Sequence, residues 1–433
     1  MTKKSFPVVT ITLDKIVGGG QALGTMEDGR KLFVWGGLPG ETVEVQVTKK
    51  KSNFAEGIVT NVISASSERV SPRDPNSYLS TSPWQIMDFG SEQHYKAALI
   101  EEAFELHDIV LPDPITVYTD GQEYHYRNKV EFSWYSATDT ASGGDTLDLA
   151  FFRRGSKGKI IVKECALLPD SIVHTAHAIR DALQAAHVTA RQLKTLLIRY
   201  NQAGDCVWQL YVKDEDFDTA APSLENIGSG GEIIFSNPKS PASVITKRLA
   251  SYGNIVLTDT ILGISFRYAT EGFFQVNIPV YERALHDMKQ WIDGARPTVD
   301  LYSGVGSIGL TIGGDHTTLV EINEHAVREM QRNIKELAVR ATPVLAASEN
   351  ALDHITGDKT IIVDPPRAGL HEAVIQRLLE TTPQRIIYLS CNPVTQARDV
   401  ARLAEKYGVR AHQGYNFFPR TPHIEHLVIL DLK

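Results

Sequence analysis

Hydrophobic and polar residues alternate in short runs through the first 70 residues of the chain, with glycines between the runs. The runs occupy residues 8–13, 31–34, 42–47 and 56–62. A period of two is typical of β-strands, and short strands at such close spacing predict a small closed barrel. Because barrels of this kind often bind oligonucleotides, we predict an RNA-binding β-barrel over residues 1–70.

Beyond the barrel, apolar residues recur at helical spacing across residues 94–106, after a proline-rich polar stretch. We therefore predict a linker and a helix over residues 71–110. Residues 111–262 then predict a central β-rich α+β module. Its strands are expected at residues 126–134, 147–152 and 196–212, and its helix near residues 171–186.

From Ile264 onward, predicted strands alternate with predicted helices. The strands lie near residues 298–301, 317–321, 360–364 and 385–390. This order predicts βαβ units and a mostly parallel sheet, so we expect an α/β, Rossmann-like domain over residues 263–433.

Composition agrees with a globular protein of several domains. The chain has 433 residues, of which 42% are hydrophobic, and no apolar run approaches the roughly 18 residues that a membrane span needs. The first seven residues lack the apolar core of a signal peptide, so we expect a cytoplasmic protein without membrane contact. Cys165, Cys206 and Cys391 lie far apart, which indicates neither a disulfide framework nor a zinc site.

The formal net charge of −8 does not by itself predict nucleic-acid binding. Phosphate binding depends on local basic patches, however, and two are present. They comprise Lys49, Lys50 and Lys51 in the first patch and Arg153, Arg154, Lys157, Lys159 and Lys163 in the second. Either patch alone also suits an ordinary solvated face, so RNA binding has to be inferred from the architecture.

A glycine turn at residues 304–309 follows a predicted strand and matches the pattern of a nucleotide-binding turn. Glu321 ends the next strand, where its carboxylate suits ribose hydroxyls. Nicotinamide enzymes and S-adenosylmethionine enzymes share this arrangement. The Asp-Pro-Pro-Arg sequence at residues 364–367 also resembles that of adenine amino-methyltransferases, but an aromatic residue normally follows there and Arg367 stands in its place.

Cys391, in the sequence Ser-Cys-Asn-Pro, follows another predicted strand, and Glu425 lies further on in the sequence His-Ile-Glu. A thiol and a carboxylate suit a nucleophile and a base that work on one substrate. A hydride-transfer enzyme needs no such thiol, so the pair favours methyl transfer to a weak carbon nucleophile. The sequence His-Ile-Glu resembles half of a zinc-deaminase motif, but the second half is missing and we predict no metal site.

With these motifs in place, the chain resembles the RNA uracil-5-methyltransferase family, which forms 5-methyluridine in tRNA or 23S ribosomal RNA. The resemblance extends over nearly the whole chain. It rests on five motifs in family order, at residues 271–277, 300–306, 364–369, 390–393 and 418–425. The N-terminal stretch, with its glycines at residues 18–20, is similar to a TRAM domain, an RNA-binding barrel.

The resemblance implies S-adenosylmethionine as cofactor and assigns roles residue by residue. Cys391 is the implied nucleophile and Glu425 the implied base. Residues expected to bind the cofactor are Gln275, Tyr302, Ser307, Glu321, Asn350 and Asp364, although Ser307 stands where an asparagine is common. Beside the resemblance, we expect Arg127, Phe273 and Arg367 to contact the RNA or the flipped base, although Arg127 also suits a merely charged strand and Phe273 also suits core packing. A free thiol is mostly protonated at neutral pH, so we also expect Arg367 and the positive sulfur of the cofactor to make the Cys391 thiol more acidic.

One departure from the family concerns iron. Many relatives with a TRAM domain hold a 4Fe-4S cluster with three cysteines after the barrel and one in the central domain. The matching stretch here, residues 80–85, contains no cysteine, and Cys165 alone occupies the place of the fourth ligand. Because such a cluster needs four thiolates, we predict no iron-sulfur cluster.

The sequence thus predicts an enzyme that methylates C5 of uridine in structured RNA. We favour 23S ribosomal RNA as the substrate, with tRNA as the alternative, and infer no obligate protein partner. An RNA cytosine-5-methyltransferase is a rival, although relatives of that type place a cysteine in the loop at residues 364–367. An RNA-binding factor without catalysis is a second rival.

Overall fold

A computed structural model describes residues 6–137, 146–156 and 158–433 of the chain. Its strands are β1 Val8–Ile16, β2 Ala22–Thr25, β3 Lys31–Trp35, β4 Thr42–Lys50, β5 Phe54–Ser64, β6 Val117–Tyr118, β7 Lys129–Tyr135, β8 Asp148–Phe152, β9 Lys159–Ile161, β10 Leu193–Tyr200, β11 Cys206–Val212, β12 Gly230–Phe235, β13 Lys247–Gly253, β14 Leu257–Ile261, β15 Ile264–Tyr268, β16 Thr298–Leu301, β17 Thr317–Glu321, β18 Ala341–Leu345, β19 Thr360–Val363, β20 Arg385–Ser390, β21 Tyr407–Tyr415 and β22 Glu425–Leu432. Its helices are α1 Tyr78–Thr81, α2 Phe89–Glu105, α3 Asp170–Ala185, α4 Ile278–Lys289, α5 Ser307–Ile312, α6 Glu324–Leu337, α7 Glu372–Thr381 and α8 Pro393–Leu403.

The first five strands close into a barrel in the order β1-β2-β3-β5-β4. Alternate residues of β4 point inward, so Val43, Val45 and Val47 are buried while the residues between them are partly exposed. This pattern follows directly from the period of two in a β-strand. The predicted barrel is therefore confirmed, with β2 as one strand that the sequence pattern did not predict.

The central module is a sheet of seven strands in the order β13-β12-β11-β10-β7-β8-β9. Helix α3 buries one face of its own against this sheet, through Ile172, Ala176, Ile179 and Leu183. These positions recur at three- and four-residue intervals, as expected for an amphipathic helix. The predicted β-rich character is correct, and β12 and β13 extend the sheet beyond the strands that were predicted.

The C-terminal part contains a sheet of eight strands in the order β18-β17-β16-β19-β20-β22-β21-β6. The first five strands of this order are parallel, whereas β22 runs antiparallel to both β20 and β21. Nearly every residue of β16, β19 and β20 is buried, because helices cover both faces of a parallel sheet. The predicted α/β, Rossmann-like fold is confirmed.

Two elements cross the predicted divisions between domains. The hairpin of β14 and β15 spans the predicted boundary between residues 262 and 263, and it packs in the same hydrophobic cluster as α4. Strand β6, expected in the central module, pairs instead with β21 at the edge of the C-terminal sheet. The division into domains by residue number stays a prediction.

Helix α2 holds the loop that leads into β22. Its buried Glu92 carboxylate accepts hydrogen bonds from the backbone N–H of Arg420 at 2.9 Å and from Asn416 Nδ2 at 2.9 Å. Lys96, one turn later, is fully buried, forms an ion pair with Glu92 at 2.9 Å and donates to the carbonyl of Phe418 at 3.1 Å. Because a buried charge needs partners, this network fixes the loop rather than leaving it free.

A second network braces the linker that follows the barrel. The buried Asp74 carboxylate accepts hydrogen bonds from Gln85 Nε2 at 2.9 Å and from the backbone N–H of Ala166 at 3.0 Å. Gln85 also donates to Ser82 Oγ at 2.6 Å. These bonds connect the linker to the central module next to Cys165.

Two further properties concern the described part of the chain. Its helices include none that is long and apolar enough to span a bilayer. Within the same residues, no group of three or more His, Cys, Asp or Glu side chains is placed to hold a metal ion. The predicted absence of a cluster stays a prediction.

Candidate active site

The side chains expected to carry the chemistry meet at one edge of the C-terminal sheet. Tyr302, Asp364 and Cys391 directly follow β16, β19 and β20, and Glu321 ends β17. The carboxyl ends of parallel strands lie at the same edge, so residues far apart in sequence converge there. They line a cavity of about 570 Å³.

The glycine turn is held in position by Glu321. Its two carboxylate oxygens accept hydrogen bonds from the backbone N–H of Gly304 at 2.9 Å and of Asn323 at 2.7 Å. The turn needs left-handed backbone at Tyr302, Gly304 and Gly306, whose φ angles are +65°, +57° and +88°. Glycine adopts these angles without strain, which explains why two of the three positions, 304 and 306, are glycines.

Strand pairing sets Cys391 beside Glu425. Ser390 pairs with His426 in the antiparallel ladder of β20 and β22, so the residues that come next on each strand, Cys391 and Glu425, are neighbours. Asn392 then caps helix α8, accepting from the backbone N–H of Val394 at 3.3 Å. Its Nδ2 donates to the carbonyl of Arg367 at 2.9 Å, which ties the loop of Cys391 to the loop that follows Asp364.

The wall of the cavity opposite these loops is held by the central sheet. Arg199, fully buried, donates from Nη2 to the carbonyl of Gly272 at 2.6 Å. Lys129 Nζ lies 3.2 Å from the carbonyl oxygen of Glu271, and Asn128 Nδ2 donates to the carbonyl of Gln275 at 2.9 Å. The central module therefore positions the segment from which Gln275 enters the cavity.

Burial dominates the electrostatics of the cavity. It raises the pKa of Asp364 to about 7, and burial together with the Asp364 carboxylate raises the pKa of Glu425 well above its ordinary value. The pKa of the Cys391 thiol rises to about 12, chiefly through burial and then through Glu425 and Asp364, while Arg367 opposes the rise. Arg367 thus lowers the pKa of this thiol, as expected, but burial and the two carboxylates outweigh the guanidinium. The expected effect of the cofactor's positive sulfur stays a prediction.

The donor set of this cavity fits S-adenosylmethionine. Carboxylates of Glu321, Asp364 and Glu425 line it, and a cationic sulfonium is favoured by such surroundings. Glu321 at the end of the second strand suits the ribose hydroxyls, and the glycine turn lets the backbone approach a ligand closely. The volume lies within the range of ordinary ligand sites.

Most residues predicted for the site line this cavity. They are Cys391, Glu425, Gln275, Tyr302, Glu321, Asp364, Phe273 and Arg367. Phe273 is 71% exposed, which suits a side chain that meets a ligand rather than the core.

Three residues predicted for the site do not line the cavity. Ser307 Oγ lies 2.8 Å from the hydroxyl of Tyr281, at the start of α5. Asn350 is exposed in a short 3-10 turn at Ser348–Asn350. Arg127 donates from Nε to the carbonyl of Lys129 at 3.0 Å. Their predicted roles stay predictions.

The cavity also contains residues to which the sequence assigned no role in the site. Its further lining includes Ala269, Glu271, Asn323, His325, Glu329, Phe418 and His423. His423 is the most informative, because its Nδ1 lies 3.2 Å from Arg367 Nη2, and burial followed by Arg367 lowers its pKa to about 4. It stands two residues before Glu425, and alternation along an extended segment is the signal that places both side chains on one face.

A second cavity, of about 430 Å³, reaches Cys391 from the side of the barrel. Cys391, Arg367 and His423 line both cavities. Trp35 of the barrel and Arg154 of the central module complete the second one, and the Arg154 guanidinium lies 4.1 Å from the centre of the Trp35 ring. The thiol is thus accessible from two directions.

The Rossmann-like sheet and the residues at its carboxyl edge define a methyltransferase. The sequence model of the family described as tRNA (uracil-5-)-methyltransferase matches residues 94–433, and that of the TRAM domain matches residues 6–60. The chain belongs to the tRNA (uracil-5-)-methyltransferase family. The predicted enzyme class, an RNA (uracil-C5-)-methyltransferase, and the predicted TRAM domain are confirmed, and this membership supports S-adenosylmethionine as the methyl donor.

Similar proteins span the whole chain. An uncharacterized RNA methyltransferase of Enterococcus faecalis is 28% identical over 92% of this chain and 92% of its own length. One of Fusobacterium nucleatum is 28% identical over 98% of this chain and 96% of its own. The crystal structure of the Pyrococcus abyssi tRNA (uracil-54, C5)-methyltransferase, in complex with S-adenosyl-L-homocysteine, has a TM-score of 0.77 at 20% identity, covering 98% of this chain and all (100%) of that one. That likeness concerns the fold.

Proposed function

We propose that this protein forms 5-methyluridine in structured RNA through a covalent bond between Cys391 and the target base, with S-adenosylmethionine as methyl donor. The observation that carries the proposal is the position of Cys391. The strand register brings Cys391 close to Glu425, and Cys391 lines both a cavity with several carboxylates and a second cavity that includes Trp35 of the barrel. One cavity suits the cofactor and the other suits a base of the RNA.

In this mechanism the Cys391 thiolate adds to C6 of uracil. The new S–C6 bond displaces the C5=C6 electron pair toward the O4 enolate, which makes C5 a nucleophile. The cofactor, when bound, supplies the methyl group that C5 takes up. Glu425 then removes the proton that C5 still carries, the double bond re-forms and the S–C6 bond breaks, releasing the thiolate.

The protonation states set the conditions for these steps. Burial raises the pKa of both Cys391 and Glu425, which disfavours the ionised form of each group. A cation in the carboxylate cavity favours the ionised form of all three acidic groups, Cys391, Asp364 and Glu425. We therefore expect cofactor binding to lower the pKa of the Cys391 thiol and to favour the thiolate.

For the RNA, two substrates have support of different kinds. The TRAM barrel favours 23S ribosomal RNA, which is the first substrate that we propose. The second candidate is tRNA, because the description of the matching family and the name of the Pyrococcus abyssi protein both refer to tRNA. Either substrate implies a cytoplasmic protein.

Methyl transfer from labelled S-adenosylmethionine to unmodified 23S and tRNA transcripts tests the proposal, followed by nucleoside mass spectrometry. We expect 5-methyluridine in one of the transcripts with the wild-type protein. Cys391→Ala should lower the rate by at least about 10⁴-fold, since a nucleophile acts as part of a unit with the base. Cys206→Ala, which alters a buried thiol of the central module, is the matched control.

The alternatives give different results in the same assay. 5-Methylcytidine as the product would mean a cytosine enzyme. RNA binding without any methylated nucleoside would favour the alternative hypothesis of an RNA-binding factor without catalysis. Equal 5-methyluridine formation by wild type and Cys391→Ala would refute the covalent mechanism while leaving the enzyme class in place.

A further inference from the structure

A wide groove of about 910 Å³ lies between the linker after the barrel and the β9 edge of the central sheet. Four cationic side chains line it. They are Arg73, Arg153, Lys159 and Lys163. Tyr135, at the end of β7, adds an aromatic ring to the same lining. For a chain with a net charge of −8, this concentration of positive charge is local and one-sided.

The acids of the groove do not neutralise these cations. Glu164 is exposed to solvent. The carboxylate of Asp74 is buried and accepts hydrogen bonds from Gln85 Nε2 and from the backbone N–H of Ala166. Among the described residues, no carboxylate lies within ion-pair distance of any of the four cations. Their charge is therefore available to a ligand.

Two of the cations are preorganised by uncharged neighbours. The Arg73 guanidinium lies 4.0 Å from the centre of the Tyr124 ring. Lys159 Nζ donates to the carbonyl of Trp134 at 2.7 Å. Arg153 and Lys163, by contrast, are exposed. Lys157, which the sequence places in the same basic patch, lies outside the described residues.

The groove and the second cavity at Cys391 are lined by consecutive residues of one turn. Arg153 lines the groove, and the next residue, Arg154, lines that cavity together with Trp35. The turn that carries them is anchored, because the backbone N–H of Arg154 donates to Ser80 Oγ at 3.3 Å and its guanidinium packs on the Trp35 ring. The same turn therefore contributes to the groove through Arg153 and to the cavity at the thiol through Arg154.

We propose that this groove binds the phosphate backbone of the RNA that flanks the target base. The proposal rests on the proposed function, because it takes the RNA to be the substrate that reaches Cys391. Phosphate contacts carry no base information, so the groove supplies affinity and register. The target base itself is read at the cavity.

Equilibrium binding to tRNA and 23S transcripts over a range of salt concentrations tests this groove without requiring catalysis. For Arg153→Glu/Lys163→Glu we expect the slope of log affinity against log salt to fall by about 2, about 1 for each phosphate contact. Affinity at about 0.1 M salt should fall at least about tenfold. In turnover, KM for the RNA should rise by a similar factor and kcat should stay unchanged, because Cys391 and Glu425 are untouched.

Two further variants make the result specific. Arg191→Glu/Lys239→Glu makes the same change of charge at exposed positions of the central module away from the groove, and should keep the wild-type slope. Arg153→Gln/Lys163→Gln removes charge without reversing it and should give a smaller loss of affinity. If the groove variant and the Arg191/Lys239 variant lose affinity and slope equally, the proposal is overturned. A wild-type protein that binds RNA with this slope but makes no methylated nucleoside would refute the proposed function and leave the groove standing.

Discussion

The two cavities that meet at Cys391 differ in charge. The first is lined by Glu321, Asp364 and Glu425, among other acids, with Arg367 as its guanidinium. The second is lined by Arg154 and Arg367, and none of the described residues in its lining is Asp or Glu. A cationic methyl donor suits the first and a polyanion suits the second. The net charge of the chain therefore says little about its ligands, because the fold separates charges that the composition mixes.

After the loss of Cys391 itself, the largest effect is expected from the base on the acidic side. Glu425→Gln should lower turnover by about 10²- to 10⁴-fold, since general-base catalysis contributes about that much. Addition of Cys391 does not need this carboxylate, so a covalent protein–RNA adduct should accumulate and decay slowly. Denaturing gels with labelled RNA measure the adduct directly.

A matched control for that variant is Glu329→Gln. Glu329 lines the same cavity but pairs with Arg332, so its replacement should leave adduct turnover close to wild type. Rapid release of the adduct by Glu425→Gln would contradict the role of Glu425 as the base. A different group would then have to take the C5 proton.

A smaller effect is expected at Arg367, which belongs to both cavities. Arg367 lowers the pKa of the Cys391 thiol, so Arg367→Gln should raise that pKa and reduce the thiolate fraction at any given pH. The rate of adduct formation should fall about tenfold for each unit that the pKa rises, and its pH profile should move to higher pH. Stopped-time gels over a pH series measure both changes.

Arg367→Lys keeps the positive charge and should recover part of the rate and the original pH profile. The backbone carbonyl of Arg367 still accepts from Asn392 in both variants, so the loop keeps its anchor. Identical profiles for the two variants would mean that Arg367 acts through shape or RNA contact rather than through charge.

The parts of this site that the sequence predicts are those that depend on neighbours along the chain. Buried hydrophobic runs ending in Asp364 or Cys391 predict parallel strands, and the strand edge then brings their ends together. The family motif predicts Glu425 as a site residue, but not its position beside Cys391. That position follows from the antiparallel pairing of β22 with β20, and no local sequence pattern distinguishes such a strand from a parallel one.

The parts that the sequence misses depend on contacts between distant segments. The hydroxyl of Ser307 lies beside that of Tyr281 rather than in the cavity. The second cavity is lined by residues of all three modules, among them Trp35, Arg154 and Cys391. The pKa of the Cys391 thiol is another property of this kind. It depends on burial by all the residues packed around Cys391, and that burial outweighs the charge of Arg367. Local periodicity contains no information on any of these.

The smallest effect tests whether the first cavity selects a cation. Burial raises the pKa of Asp364 to about 7, so its carboxylate ionises as the pH rises through that value. A sulfonium binds the ionised form more tightly, and the affinity for S-adenosylmethionine should therefore rise between about pH 6 and pH 8, by less than about tenfold per unit. S-adenosylhomocysteine has a neutral sulfur and the same amino and carboxyl groups, so its affinity should change less over this range. Calorimetric titration of both ligands at each pH measures the difference.

Asp364→Asn provides the internal check, because an amide cannot ionise. This variant should bind the two ligands with a nearly constant ratio of affinities from pH 6 to pH 8. If the wild-type ratio is equally constant, Asp364 does not sense the charge of the sulfur, and the contrast between the two cavities would then rest on the other carboxylates of the first cavity. If the ratio changes in the wild type and not in Asp364→Asn, the acidic side of Cys391 distinguishes methyl donor from product through this single carboxyl group.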